Sequence, residues 1–272
     1  MKDNNEAKRK RVKSFLKENY RGKFIISKTP NEDRKFEVNS NGFVDMISES
    51  ENLATEDFVF TEVWSFDCLQ NEMLLSLKGA PQKVEKFCCS YCPSLRTLEG
   101  APKEVKEFNC NNCDSLISLK GAPKEVKDFD CSGCTSLQSL EGAPQEVGEF
   151  YCSYCPSLRT LEGAPQKAEK FDCSGCESLQ TLKGGPEEAK WFYCSGCISL
   201  QSLEGAPGKV EVFDCNNCQS LKSLKGAPEE AIIFDCSNCS SLESLIGAPK
   251  KVEKFYCPGW ESEPPAGILR RK

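Results

Sequence analysis

From residue 63 onward the apolar residues recur in a fixed frame. Phenylalanine stands at 66, 87, 108, 129, 150, 171, 192, 213, 234 and 255, each 21 residues after the last, with no insertion breaking the count. Written from the aliphatic residue three places earlier, the unit is V-x-x-F-x-C-x-x-C-x-S-L-x-S-L-x-G-A-P-x-x, as in VGEFYCSYCPSLRTLEGAPQK at 147–167. Apolar residues hold positions 1, 4, 6, 9, 12 and 15, with Ala at 18. The spacing of two between positions 4 and 6 puts both side chains on one face of a strand, and the spacings of three that follow suit a coil turning about its own axis. Gly-Ala-Pro then turns the chain, because Gly tolerates positive φ and Pro fixes φ and lacks an N–H. One unit cannot bury this ring of apolar groups alone, whereas stacked units can. The pattern therefore predicts a mainly β solenoid whose rungs pair strand on strand at roughly 4.8 Å.

Ahead of the repeats the periodicity changes. Residues 6–20 place Val12, Phe15, Leu16 and Tyr20 at helical spacing, which predicts an amphipathic helix. KFEVNSNGFVDM at 35–46 sets Asn-Ser-Asn-Gly between two short apolar runs, a β-hairpin signal, and FVFTEVWSFDC at 58–68 leads into the first rung. Residues 1–60 are thus expected to form a small α+β cap over one end of the stack, where open strand edges would invite pairing between molecules. Residues 61–260 form the solenoid. At its far end Trp260 replaces the second cysteine of the unit, and the tail 261–272, ESEPPAGILRRK, is short and Pro-rich, suited to disorder or a minimal cap.

Charge and composition narrow the function. The chain of 272 residues has a net charge of −6, which argues against a dedicated nucleic-acid binder. The charge is segregated, however: residues 1–23 hold nine Lys or Arg against Asp3, Glu6 and Glu18, a local net of +6. The run Lys8-Arg9-Lys10-Arg11 suits a charged helix face, a nucleic-acid contact or a transport signal. No apolar run is long enough to span a bilayer. The amino terminus lacks the hydrophobic stretch of a secretory signal, so a cytoplasmic site is the expectation. There are 19 cysteines and no histidine. In a reducing compartment the thiols stay mostly free, and the missing imidazole removes Ser-His and Cys-His nucleophile pairs and mixed Cys/His zinc sites. No carboxylate pair stands apart from the repeat, so no catalytic residue is assigned.

Cys-x-x-Cys pairs stand at 89/92, 110/113, 131/134, 152/155, 173/176, 194/197, 215/218 and 236/239. Neighbouring pairs match a tetrathiolate zinc spacing. Three readings compete: core packing, a zinc or iron–sulfur site, and a redox thiol reservoir. The imperfect units favour the first, since Asn71 and Trp260 stand at the second cysteine position while the unit continues in register. Here the chain resembles the leucine-rich repeat family, whose unit L-x-x-L-x-L-x-x-N/C-x-L accepts Asn or Cys at its ninth position. Val147, Phe150 and Cys152 match the strand positions, Cys155 the Asn/Cys position and Leu158 the next inward one. C-S-G-C-x-S-L-x-S-L resembles the Cys-containing variants, and a nearer likeness is to phage and bacterial repeat proteins built on SLxGAPxxVxxFxCS. The resemblance covers about residues 58–257. It implies a right-handed leucine-rich-repeat-like solenoid of 21-residue units in which Asn71, Cys92, Cys113, Cys134, Cys155, Cys176, Cys197, Cys218 and Cys239 form a structural Asn/Cys ladder, each bonding a backbone carbonyl of a neighbouring rung. Departures are Cys at position 6 and the lack of an outer helix. Some bacterial members carry a catalytic domain after the repeats; about 15 residues follow here, too few for one.

Positions 3 and 5 of each unit face the concave side of such a solenoid. Position 3 is polar except at Trp191, Val212 and Ile233, which fall on successive rungs; at position 5 Tyr193 extends the patch and Asp214 and Asp235 border it. An apolar patch with an aromatic anchor and a charged rim has the composition of a protein-binding hot spot. Self-association, cover by the amino-terminal segment, or plain strand propensity are the alternatives. The sequence thus points to a non-enzymatic protein-interaction scaffold without cofactor or metal, binding a protein partner on its strand face. The reading from another class is a zinc- or thiol-based sensor using the Cys-x-x-Cys ladder.

Overall fold

The computed structural model describes residues 2–32, 35–46, 53–54 and 58–257. The chain opens with α1 (Lys2–Asn19), the one helix among the described residues, and two short strands, β1 (Tyr20–Arg21) and β2 (Ile25–Ile26). Long strands β3 (Phe36–Met46) and β4 (Phe58–Asp67) follow. The repeats then give β5 (Lys83–Cys88), β6 (Glu107–Asn109), β7 (Asp128–Asp130), β8 (Glu146–Tyr151), β9 (Lys167–Asp172), β10 (Glu188–Tyr193), β11 (Val212–Asp214), β12 (Glu230–Asp235) and β13 (Lys251–Tyr256). From β3 to β13 every strand pairs in parallel with the next, in one continuous sheet. Equivalent residues lie opposite each other, Phe87 against Phe108 and Phe192 against Phe213. The fold is a β-solenoid, one rung per 21-residue unit.

Inside each rung the predicted positions are the buried ones. Phe66 to Phe234 are at most 1% exposed, and the two leucines of each unit from Leu74 to Leu224 are at 0%. The phenylalanine rings form one stacked column, with neighbouring centroids 5.3–5.6 Å apart and planes within 2° to 24° of each other. That offset parallel geometry is one aromatic rings favour beyond simple burial. The turn chemistry is also local: at Gly163, φ is +86° and an added Cβ would come 2.7 Å from the backbone of Glu141 in the rung before, so both conformation and crowding require glycine.

The amino-terminal segment closes one end of the column. Val12, Leu16 and Tyr20 are buried. The Tyr20 ring meets Phe60 and Phe66 at 5.5 and 5.7 Å, and its hydroxyl donates to the Leu53 carbonyl at 2.6 Å. The hairpin expected at 35–46 does not form. Residues 36–46 are one strand running parallel to β4, with register shifts between Val38 and Ser40 and between Ser40 and Phe43. Asn-Ser-Asn-Gly is absorbed as bulged strand because β4 supplies a parallel partner along the whole segment, while β1 and β2 pair antiparallel on its other side. The boundary drawn at 60/61 falls inside β4, so the last strand of the cap is also the strand of the first rung. At the far end Leu242 and Leu245 are only partly buried and Ile246 is 73% exposed. Trp260 and the tail 261–272 lie outside the described residues.

Candidate functional site: the thiol ladder and the strand face

The second cysteine of each pair makes the same bond in every rung. The Cys92 thiol donates to the Cys68 carbonyl at 3.2 Å, Cys113 to Cys89 at 3.2 Å, Cys134 to Cys110 at 3.3 Å and Cys155 to Cys131 at 3.4 Å. Cys176, Cys197, Cys218 and Cys239 donate likewise to Cys152, Cys173, Cys194 and Cys215, each at 3.2 Å. Each acceptor lies 24 residues back, in the rung before. Asn71 holds this slot in the first rung, where its Oδ1 accepts the Met73 N–H at 3.1 Å and its amide reaches the Met46 sulfur at 3.2 Å. The first cysteines point into the core, and some also donate, as Cys131 does to the Tyr151 carbonyl at 3.3 Å.

All 19 cysteines are free thiols. Burial pushes the ionisation of many of them up, Cys113 and Cys155 to about 12 and Cys110, Cys131 and Cys152 well above the ordinary range, whereas hydrogen bonds from Cys68, Cys215 and Cys236 hold Cys92, Cys239 and Cys257 below it. A metal ligand or attacking nucleophile is the thiolate. Along the ladder each second thiol is placed as a donor to a carbonyl oxygen, and among the described residues no group of three or more Cys, Asp or Glu side chains converges to hold a metal ion.

On the solvent side of the sheet, Trp191, Val212 and Ile233 are register neighbours on β10, β11 and β12. Tyr193, Asp214 and Asp235 form the adjacent row. All six are half-buried rather than freely exposed, because each is flanked by the rungs on either side. Ile232, one residue before Ile233, is 43% exposed. Lys170 and Lys254 pair in register with Trp191 and Ile233 and so close the apolar row at its two ends. Each aspartate accepts a backbone N–H from two residues on, Asn216 to Asp214 at 2.9 Å and Ser237 to Asp235 at 2.8 Å. Burial raises the Asp214 carboxyl above its usual range, and the neighbouring Asp235 and Asp172 charges push the same way.

Sequence reasoning missed the group beside this row. The Lys170 ammonium sits 4.8 Å from the Tyr151 ring centroid and 5.4 Å from that of Tyr193, between two tyrosines that flank Asp172 in register. Tyr151 in turn donates its hydroxyl to Glu149. The signal was available by aligning units, since position 3 of one rung adjoins position 5 of its neighbours.

The column that holds Trp191 and Lys170 carries an inter-rung ion pair further toward the amino terminus, Lys86 with Glu107 at 2.7 Å, and other surface columns hold Lys167 with Glu188 at 3.1 Å and Glu204 between Lys183 and Lys225 at 2.9 and 3.2 Å. Among the described residues no helix is long and apolar enough to cross a membrane.

No family model and no curated protein matches the chain. Among solved structures it is similar to a leucine-rich repeat protein from Bacteroides ovatus ATCC 8483, with 12% identity, 87% of this chain and 90% of that chain covered, and a TM-score of 0.28.

Proposed function

We propose that this chain is a non-enzymatic scaffold that binds a protein partner on the solvent face of its sheet, in the cytoplasm. The observation that carries the reading is the row Trp191–Val212–Ile233, three large apolar side chains on successive rungs at a position of the unit otherwise held by Ser65 and charged residues. A stack of hydrogen-bonded rungs presents that row preformed, so binding loses little conformational entropy. The aromatic anchor beside a polar rim is the arrangement that concentrates binding energy.

The test is a pull-down under reducing conditions with wild type and the Trp191→Asp/Ile233→Asp variant, each first checked for native circular dichroism. We expect a partner retained by wild type and lost by the variant. Equal recovery by both would refute the strand face as the working surface.

A further inference from the structure

The strand face also specifies the chemistry of its partner, and this inference rests on the reading above. At many places on the surface an acid is answered by a base of the neighbouring rung. The aspartate row is different. Asp172, Asp214 and Asp235 each direct one carboxylate oxygen to a backbone N–H at 2.8–2.9 Å, and among the described residues none of the three forms an ion pair with lysine or arginine. Asp214 and Asp235 are direct register neighbours, with no cation between them. Like charges on adjacent strand positions destabilise one another, and an external cation would relieve that repulsion.

An independent feature shows what this surface receives. Two rungs earlier, the tyrosines of the same row take up an ammonium: Lys170 lies over the Tyr151 and Tyr193 rings, which flank Asp172 in register. Aromatic faces next to carboxylates attract a cation by the ring quadrupole and by charge together. On the carboxyl-terminal side of Tyr193 the row continues through Asp214 and Asp235 to Tyr256, which is 47% exposed, but the chain supplies no second lysine at position 3 until Lys254. In place of a lysine it supplies Val212 and Ile233.

We infer that the partner is a protein segment bearing an apolar ridge flanked along one side by arginine or lysine. The ridge covers Trp191, Val212 and Ile233, and the cations lie over Asp214 and Asp235 against the rings of Tyr193 and Tyr256. Lys170 and Lys254 exclude further basic groups at the ends of the ridge, which fixes the segment's register.

Fluorescence anisotropy with three labelled synthetic peptides tests this: a helical peptide with a Leu ridge edged by Arg, its Arg→Glu counterpart, and a version with the ridge changed to Ser. The protein is used as wild type and as Asp214→Asn/Asp235→Asn, in which each Asn keeps the oxygen that accepts its backbone N–H. The expected result is binding of the first peptide alone, weakened about tenfold or more by the double Asn variant, with a flatter salt dependence. Equal binding of the Arg→Glu peptide, no binding of the Arg peptide, or no effect of the Asn changes would overturn the inference. If the double Asn variant binds normally while Trp191→Asp/Ile233→Asp does not, the face is an interaction site for a partner of other chemistry. Tighter binding by a peptide of residues 2–19, the chain's own basic helix, would assign the face to a second copy instead.

Discussion

At the scale of the residue, the cysteines act as small apolar groups that each carry one hydrogen-bond donor. Cys134 is fully buried and donates to the Cys110 carbonyl at 3.3 Å. Cys134→Ala removes the donor and leaves both a small void and an unsatisfied buried carbonyl, so we expect a loss of about 1–3 kcal/mol in urea unfolding. The same burial predicts a pH dependence. A thiol that ionises near 9.0 in its ordinary surroundings is held to about 12 at Cys113 and Cys155. Because the folded value is the higher one, the stabilisation is complete below the unfolded value and is lost as pH rises through 9 toward 12. In reducing buffer most of the thiolate absorbance near 240 nm should therefore appear together with the loss of the circular dichroism signal, above pH 9, after a small earlier rise from Cys92, Cys239 and Cys257, which neighbouring cysteines hold below the ordinary value. Ionisation of most of the thiols near pH 9 with the fold intact would contradict this. Of these roles, the inward direction of the first thiols was legible in their spacing of two from each phenylalanine, while Asn71 in a cysteine slot spoke against a metal site. Backbone conformation was less so: Gly133 and Gly175 adopt the left-handed region at position 8, but so do Tyr91 and Tyr154, whose side chains are rarely found there. Gly175 makes room for Tyr154, because a Cβ at that glycine would come 2.6 Å from the ring.

At the scale of the element, regular spacing made the rungs readable and the cap less so. Every rung repeats the same short-range instructions and is answered by an identical neighbour, so local pattern and global pairing agree. In β3 they conflict. Asn-Ser-Asn-Gly is a turn by local preference, but the edge of β4, distant in sequence, holds the segment extended, and no pattern internal to residues 36–46 announces that partner. The Lys170 cation site, whose parts come from β8, β9 and β10, was legible only by aligning the units and not by reading along the chain. The stacked column offers the sharpest element-level test. Phe150 is 0% exposed and stacks on Phe129 and Phe171 at 5.4 and 5.5 Å. Phe150→Ala should cost about 3–5 kcal/mol. Since each rung touches only its neighbours, the break should split thermal unfolding into two transitions. A single transition of unchanged midpoint would show that the column does not couple the rungs.

At the scale of the whole molecule, the alternation of lysine and glutamate down one column does more than decorate the surface. Lys78 pairs with Glu99, Lys120 with Glu141, and Glu204 with both Lys183 and Lys225, while Glu162 next to Glu141 interrupts the alternation. Exposed pairs of this kind add little stability one by one, yet they make the stack sensitive to parity. Excising the unit that holds Glu204 would set Lys183 against Lys225, whereas excising the two units that hold Glu99 and Lys120 would bring Lys78 to Glu141. At these two stretches, then, losing one rung sets like charge against like and losing two restores the pairing, each pair of rungs changing the span of the stack by about 10 Å.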